Sequence, residues 1–479
     1  MAKSGCMRLR RTALAAALVL ATSVAGAAQA GPGGLPVGAG GRATPNVHFL
    51  FNQPIGTGTG GAFLGSTYFE TAADTVWFSA ASTQAVTGGL FAFDIRNPER
   101  PLITGALPIP HHENEDLQVS ASRKLAIISQ QPYRLNPEDT SSRFLPGREF
   151  LVDVSVPSAM RLVGIASMPA TTGTLPTGRT LAGPGHTTTL VDHDQYLWVS
   201  GARNGQVYVI DIRDAAHPKG LGYLASPAGN AYGVFTPGVV HDVDVDQFGD
   251  VTLTGSGGTA MYELTRDPLH PRLIASVSPK DNARAQQYIH HGSQRLDRDH
   301  LLVTEEDYQA GCDGATHQDG SIQSWRIDRA HKRLVEVGSF DAPPGADASG
   351  LLSQLCSSHW FTINGNKVVA DAWYGAGLRF LDMSDPAKPR PIGMYAGDST
   401  IASQARFVPG RPDLVYVADY MRGLDVVKID NAGRGARTTT VRDEHTLGQS
   451  PLPAAKTSKL SWHAHEDFGW VCAVPTVIG

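Results

Sequence analysis

Only four cysteines, Cys6, Cys312, Cys356 and Cys472, serve a chain of 479 residues, and no two have a Cys-x-x-Cys spacing. That removes the paired thiols of redox motifs and zinc ribbons. A Gly-x-Ser-x-Gly nucleophile elbow and a glycine-rich phosphate loop are also missing, so neither serine hydrolysis of that type nor phosphoryl transfer has its usual signature. Clusters of lysine and arginine are absent, which disfavours nucleic acid as a partner. Past residue 26 no apolar run approaches the roughly 20 residues needed to cross a bilayer, so no membrane span is expected.

The one long apolar run stands at the start. Arg8, Arg10 and Arg11 precede Thr12–Gly26, and Ala28-Gln29-Ala30 supplies the small residues of a cleavage site. Residues 1–30 therefore read as a signal peptide, placing the mature chain in a secreted or extracytoplasmic compartment. Its removal takes Lys3, Arg8, Arg10 and Arg11, leaving 36 of the 40 basic residues against 45 acidic ones, a net charge of −9. No cysteine near the cleavage point would carry a lipid anchor. An oxidising compartment permits a disulfide. Cys312 with Cys356 is the expected pair, leaving Cys472 free or tied to the tail; the alternative is three unpaired thiols.

What the chain does have is a repeat. GLFAFDIRNP from Gly89, FLVDVSVP from Phe150, GQVYVIDIRDAAHP from Gly205, AMYELTRDP from Ala260, SIQSWRID from Ser321, GLRFLDMSDP from Gly377 and GLDVVKID from Gly423 are seven versions of a strand followed by a turn. Their spacing of roughly 45–60 residues fits four-stranded propeller blades with loop insertions. The expected fold is all-β, a seven-bladed β-propeller of four-stranded antiparallel blades over residues 46–430. Residues 31–45, rich in glycine and proline, read as a flexible leader, and 431–479 as an extended C-terminal arm whose last segment can dock on the ring. Asn46–Phe51 is a strand candidate that would complete the last blade and latch the ring.

Histidine recurs at the start of the first strand in five of the seven units. The segments are PHHENEDLQV (His111, His112), PGHTTTLV (His186), VVHDVDVD (His241), YIHHGSQRL (His290, His291) and CSSHWFTI (His359), with Ser66 and Gln404 at the other two positions. First strands line a propeller's channel, so equivalent positions face one axis at one depth. His112, His186, His241, His291 and His359 are the candidate metal ligands, since imidazole suits zinc, copper, iron and nickel. The alternative is structural: each imidazole ties its blade to the next through a backbone hydrogen bond. Glu113, Asp242, Glu305 and Glu306 are placed to orient ligands, and Glu305 or Glu306 to act as the catalytic proton carrier. Asp371–Tyr374 and Asp419–Arg422 occupy the position equivalent to Glu305–Asp307, as a substrate rim or as ordinary loop packing. Asp242, Asp244 and Asp246 alternate along a strand rather than sharing a loop, which is unlike a calcium site.

The copies VYVIDIRD, LRFLDMSDP and LFAFDIRNP resemble the LVIVD repeat of bacterial surface and exported propellers, over about Phe63–Asp430. The strand-start histidines are similar to those of the selenium-binding protein and methanethiol oxidase family, seven-bladed propellers in which histidines hold a metal, copper in the oxidase; that family's cysteine motifs are absent here. The resemblance implies a divalent or copper ion on the channel axis and a metal-dependent oxidoreductase or lyase acting on a small molecule. The competing expectation is a non-catalytic binding or scaffold protein of the cell envelope, with the insertions Gln130–Arg148 and Tyr308–Gly320 contacting an envelope protein.

Overall fold

The computed structural model describes residues 41–53, 64–68, 71–72, 75–82, 89–108, 117–130, 133–134, 144–145, 147–169, 185–201, 206–224, 240–255, 257–278, 289–306, 320–341, 356–397, 400–419 and 422–430. The expected signal peptide, the C-terminal arm, His112, Glu113, Cys312 and Cys472 lie outside them.

Among the described residues the chain is all-β, its only helix being the 3-10 turn Pro157–Ala159. Consecutive strands pair antiparallel into successive sheets. Leu64–Tyr68, Thr75–Ser82, Gly89–Asp94 and Leu102–Pro108 form the first sheet, which Thr71–Ala72 joins through Thr75–Ser82. Leu117–Ser120, Leu125–Gln130, Arg148–Asp153 and Arg161–Ser167 form the second, and Thr188–Val191, Tyr196–Val199, Val207–Asp211 and Lys219–Leu224 the third. An eight-stranded sheet follows. Its halves, Val240–Val245 through Arg272–Val277 and Ile289–Arg295 through Arg333–Phe340, meet at one parallel bridge, Ser276 to Arg333. Phe361–Ile363, Val368–Ala372, Leu378–Asp382 and Arg390–Gly397 come next. The last sheet holds Ala402–Val408, Arg411–Asp419 and Gly423–Ile429.

Side chains of a strand alternate between faces, and here both faces are covered by a neighbouring sheet. Ala126 and Ile128 pack with Leu90 and Ala92 of the sheet before, whereas Leu125 and Ile127 pack with Leu190, Leu197 and Val199 of the sheet after. The segment LAIIS is therefore apolar throughout instead of alternating. Sheets approach closely at their outer strands. A Cβ on Gly164 would stand 2.0 Å from the carbonyl oxygen of Ala215 in the next sheet, so only glycine fits there.

The two ends of the described chain meet as the sequence suggests. Val47–Gln53 pairs antiparallel with Gly423–Ile429, Val47 opposite Ile429 and Gln53 opposite Leu424. That last sheet in turn packs on the first: Phe51, Tyr416 and Val426 share a core with Phe91 and Phe93, and the Tyr416 hydroxyl donates to the Pro98 carbonyl at 2.8 Å. The leader is shorter than expected. Gly41–Ala43 forms a further edge strand on Arg390–Gly397. Edge pairing uses only backbone N–H and C=O groups, so a segment without hydrophobic alternation can still add to a sheet.

Candidate functional site

The site forms where first strands begin and second strands end. His186 immediately precedes Thr188–Val191, His241 lies in Val240–Val245, and His359 lies just ahead of Phe361–Ile363. Glu306 closes the strand His300–Glu306. All four residues are within 1% of complete burial.

Local backbone irregularities aim these groups. The pairing of Val240–Val245 with its neighbour skips at His241, between Val240 and Asp242. The same skip occurs between His290 and Ser293, and again between Ala402 and Gln404. Such bulges re-aim side chains at the rims of sheets, and the one at His241 turns that imidazole towards the site. His186 depends on Gly201 instead. Gly201 adopts φ +64°, and a Cβ there would lie 2.8 Å from the His186 Cβ.

Two imidazoles flank one carboxylate, and a third stands against the first of them. His186 Nε2 is 3.2 Å from His241 Nε2, with ring centroids 4.4 Å apart. His241 Nε2 is 3.4 Å from Glu306 Oε2, and His359 Nε2 is 3.5 Å from Glu306 Oε1. The Tyr374 hydroxyl donates to Glu306 Oε1. Two partners set tautomers. The His241 Nδ1 lies 2.8 Å from the Asp242 carboxylate, and the His359 Nδ1 lies 2.6 Å from the Ser403 carbonyl. Each partner only accepts, so each Nδ1 carries its proton, and in the neutral rings the Nε2 lone pairs of His241 and His359 face Glu306. Two nitrogen lone pairs against one carboxylate form an acceptor-rich pocket suited to a cation or a proton. Even so, among the described residues no set of three or more His, Cys, Asp or Glu side chains is already closed around a metal position. The donors stand as a line of pairwise contacts.

The expected residues divide accordingly. His186, His241 and His359 form a chain of contacts with Glu306, and Asp242, expected as a ligand-orienting carboxylate, holds the His241 Nδ1. The His359 bond to Ser403 also reaches the next sheet's backbone, so this imidazole serves the tying role as well. His112 lies outside the described residues, and so does the side chain of His291, whose backbone sits in the bulge after His290. Glu305 is turned away from the imidazoles, because adjacent strand residues point to opposite faces. It accepts from the Ser321 hydroxyl at 2.8 Å, and its carbonyl accepts from the Ser357 hydroxyl.

The described residues of the two expected rim segments are buried and form no open rim; Tyr420 and Met421 lie outside the described residues. Trp373 and Tyr374 are buried. Asp371 accepts from Ser358 at 2.8 Å and Trp373 at 2.6 Å, and burial raises its carboxyl well above the ordinary range. Arg422 holds Asp425 at 2.7 Å and lies over the Phe49 ring, which is loop packing. The carboxylates Asp242, Asp244 and Asp246 have separate partners, His241, Ser293 and Arg295. Cys356 is disulfide-bonded and sits in a hydrophobic cluster three residues before His359; its partner lies outside the described residues, so the pairing with Cys312 is not tested. Sequence reasoning missed Ser403. Its signal was its place beside Gln404, at the same level as the histidines.

No protein-family model and no curated protein matches the chain. Solved structures do. A periplasmic gluconolactonase of Pseudomonas aeruginosa, PpgL, is 14% identical with a TM-score of 0.52, covering 80% of this chain and 95% of its own. The Cps50 (Swd1) β-propeller domain from Myceliophteria thermophila is 12% identical with a TM-score of 0.50, covering 77% and 97%. A protein from Lactobacillus plantarum is 10% identical with a TM-score of 0.51, covering 72% and 88%. At such identities the likeness shows architecture alone: the chain has a β-propeller fold.

Proposed function

We propose that the chain is an extracytoplasmic, seven-bladed propeller whose axial His/Glu cluster binds a transition-metal ion, copper by family resemblance, and acts as a metal-dependent oxidoreductase or lyase on a small molecule. Seven blades are supported by counting the two halves of the eight-stranded sheet as separate units beside the five other sheets of four or five strands, leaving aside the two-stranded pair Tyr133–Arg134 and Phe144–Leu145, with Val47–Gln53 as the latch. The N-terminal segment supports export.

One observation carries the metal reading: His241 and His359 approach the buried Glu306 carboxylate at 3.4 and 3.5 Å, and His186 reaches the His241 Nε2 at 3.2 Å, the three imidazoles coming from three different sheets. Donors around a tetrahedral ion with metal–nitrogen bonds of about 2.0–2.1 Å stand about 3.3 Å from one another. The pairwise spacings thus fit a metal-sized gap, and Asp242 and the Ser403 carbonyl provide the outer hydrogen bonds that ligating imidazoles ordinarily have. His186, His241 and His359 would hold the ion, with Glu306 and His291 available to complete the set. Such an ion supplies Lewis-acid or one-electron chemistry at this position. The chain's own groups then handle protons. Asp242 and Ser403 keep two Nε2 atoms free of protons, and Glu306 is placed to accept or return a proton beside the Tyr374 hydroxyl.

The test is elemental analysis of protein purified from its native compartment beside a His241→Ala/His359→Ala variant. Near-stoichiometric metal in the wild type, lost in the variant, is the expected result. Equal background content in both ends the reading.

A further inference from the structure

We propose that Tyr374 is a positioning residue of the cluster, locking the Glu306 carboxylate between His241 and His359. The proposal deepens the metal reading and rests on it for its affinity readout, although the positioning itself does not require an ion.

The first argument is backbone strain. Seven described non-glycine residues have positive φ: Lys124, Asp192, His193, Asp194, Lys332, Lys367 and Tyr374. The first six are polar residues with some exposure at turns. Tyr374, at φ 37°, is the one that is buried. A bulky side chain in this region carries a steric penalty that glycine avoids, and it persists only where its surroundings over-determine it. They do so here. Tyr374 and Ala402 exchange both backbone hydrogen bonds at 3.0 Å, Trp373 donates to Gly377 at 2.7 Å, and Gly377 donates back to Tyr374 at 3.0 Å. Nothing in that backbone asks for tyrosine. What glycine would lack is the side chain.

Two contacts of the side chain reach the cluster. Its hydroxyl donates to Glu306 Oε1, and its ring lies against the His359 imidazole with centroids 4.4 Å apart and planes tilted by 39°. Glu306 belongs to the strand His300–Glu306, His359 to the next sheet, and Ala402 to the one after. Tyr374 therefore pins one carboxylate with reference to three sheets. The last torsion of a glutamate is soft, and the phenol's hydrogen bond restrains it. With it, Oε1 is directed towards His359 and Oε2 towards His241, the arrangement on which both the 3.4 and 3.5 Å spacings depend.

Tyr374→Phe keeps the ring and removes the hydroxyl, so folding is expected to be preserved. Copper(II) and zinc(II) titrations of metal-stripped wild type and variant would be read beside thermal unfolding and a crystal structure of each. The expected result is at least a tenfold loss of affinity at an unchanged midpoint, with the Glu306 carboxylate rotated. Affinity within twofold of wild type, with Glu306 superimposable, overturns the proposal while leaving the metal site standing. If the wild type binds neither ion, the metal reading falls and the crystal structures decide the positioning role: a turned carboxylate supports it and an unmoved one overturns it. Should Tyr374→Phe not fold, Tyr374→Met is read by the same measurements.

Discussion

The Nδ1 of His241 lies 2.8 Å from the Oδ2 of its chain neighbour Asp242, with both side chains closed to water. Adjacent strand residues normally point apart. The register skip between Val240 and Asp242 turns the imidazole back towards the carboxylate, so a bulge fixes the tautomer. Removing such an outer partner ordinarily lowers metal affinity by about 10–100-fold. Asp242→Asn is therefore expected to bind copper(II) or zinc(II) weaker by that factor while folding normally. Calorimetric titration checks it. Unchanged affinity would mean that another group sets the His241 tautomer.

Asp244, two residues further along the same strand, gives a pH dependence. Burial, and then the charge of Asp242, push its carboxyl from 3.8 up to about 8, against the opposing hydrogen bonds from the Ser293 N–H and hydroxyl. The folded state thus holds a proton that the unfolded chain releases near pH 4. With the folded pKa raised, the cost of keeping Asp244 protonated grows as pH climbs from about 4 to 8, by at most about 1.4 kcal/mol per pH unit. The residue as a whole is half-buried, and water reaching it reduces the slope. Asp244→Asn, which can still accept from Ser293, is expected to unfold at higher temperature than wild type at pH 8, with the gap closing towards pH 4. A constant gap would show that the native carboxyl already ionises near pH 4, as in the unfolded chain.

The sequence was legible where one rule governed many residues. Strands packed on both faces give unbroken apolar runs such as LAIIS and VYVID, and repetition made them visible. His186, His241 and His359 stood out for the same reason, each occupying the same place in its unit. Glu305 and Glu306 were left undivided, although alternation along LLVTEE separates them: Glu306 shares its face with Thr304 and Leu302, and Glu305 falls on the opposite one. Tyr374 was legible only as the end of the rim candidate Asp371–Tyr374, and not as a partner of Glu306. Its contact with Glu306 spans 68 positions and depends on a positive φ that no local pattern announces. Ser403 acts through its carbonyl, an atom every residue possesses.

The position of these groups depends on closure, and closure depends on a strand from the other end of the chain. Phe51 is 3% exposed in the core shared by the last and first sheets, beside Phe91, Phe93, Tyr416 and Val426. Truncating a buried phenylalanine costs about 3–5 kcal/mol. In an isolated sheet that loss would stay local. Here Val47–Gln53 is the antiparallel partner of Gly423–Ile429, and the same sheet supplies the Ser403 carbonyl to His359 and the Ala402 bridge to Tyr374. Phe51→Ala is therefore expected to lower stability by that amount and also to weaken metal binding, although the two places lie at opposite ends of a sheet. Phe150→Ala, in the core between the first and second sheets, is the control: similar instability with near-normal affinity. Denaturant unfolding and metal titration of the two variants separate the cases. Equal affinity losses would mean that the site responds to global stability, and not to the latch.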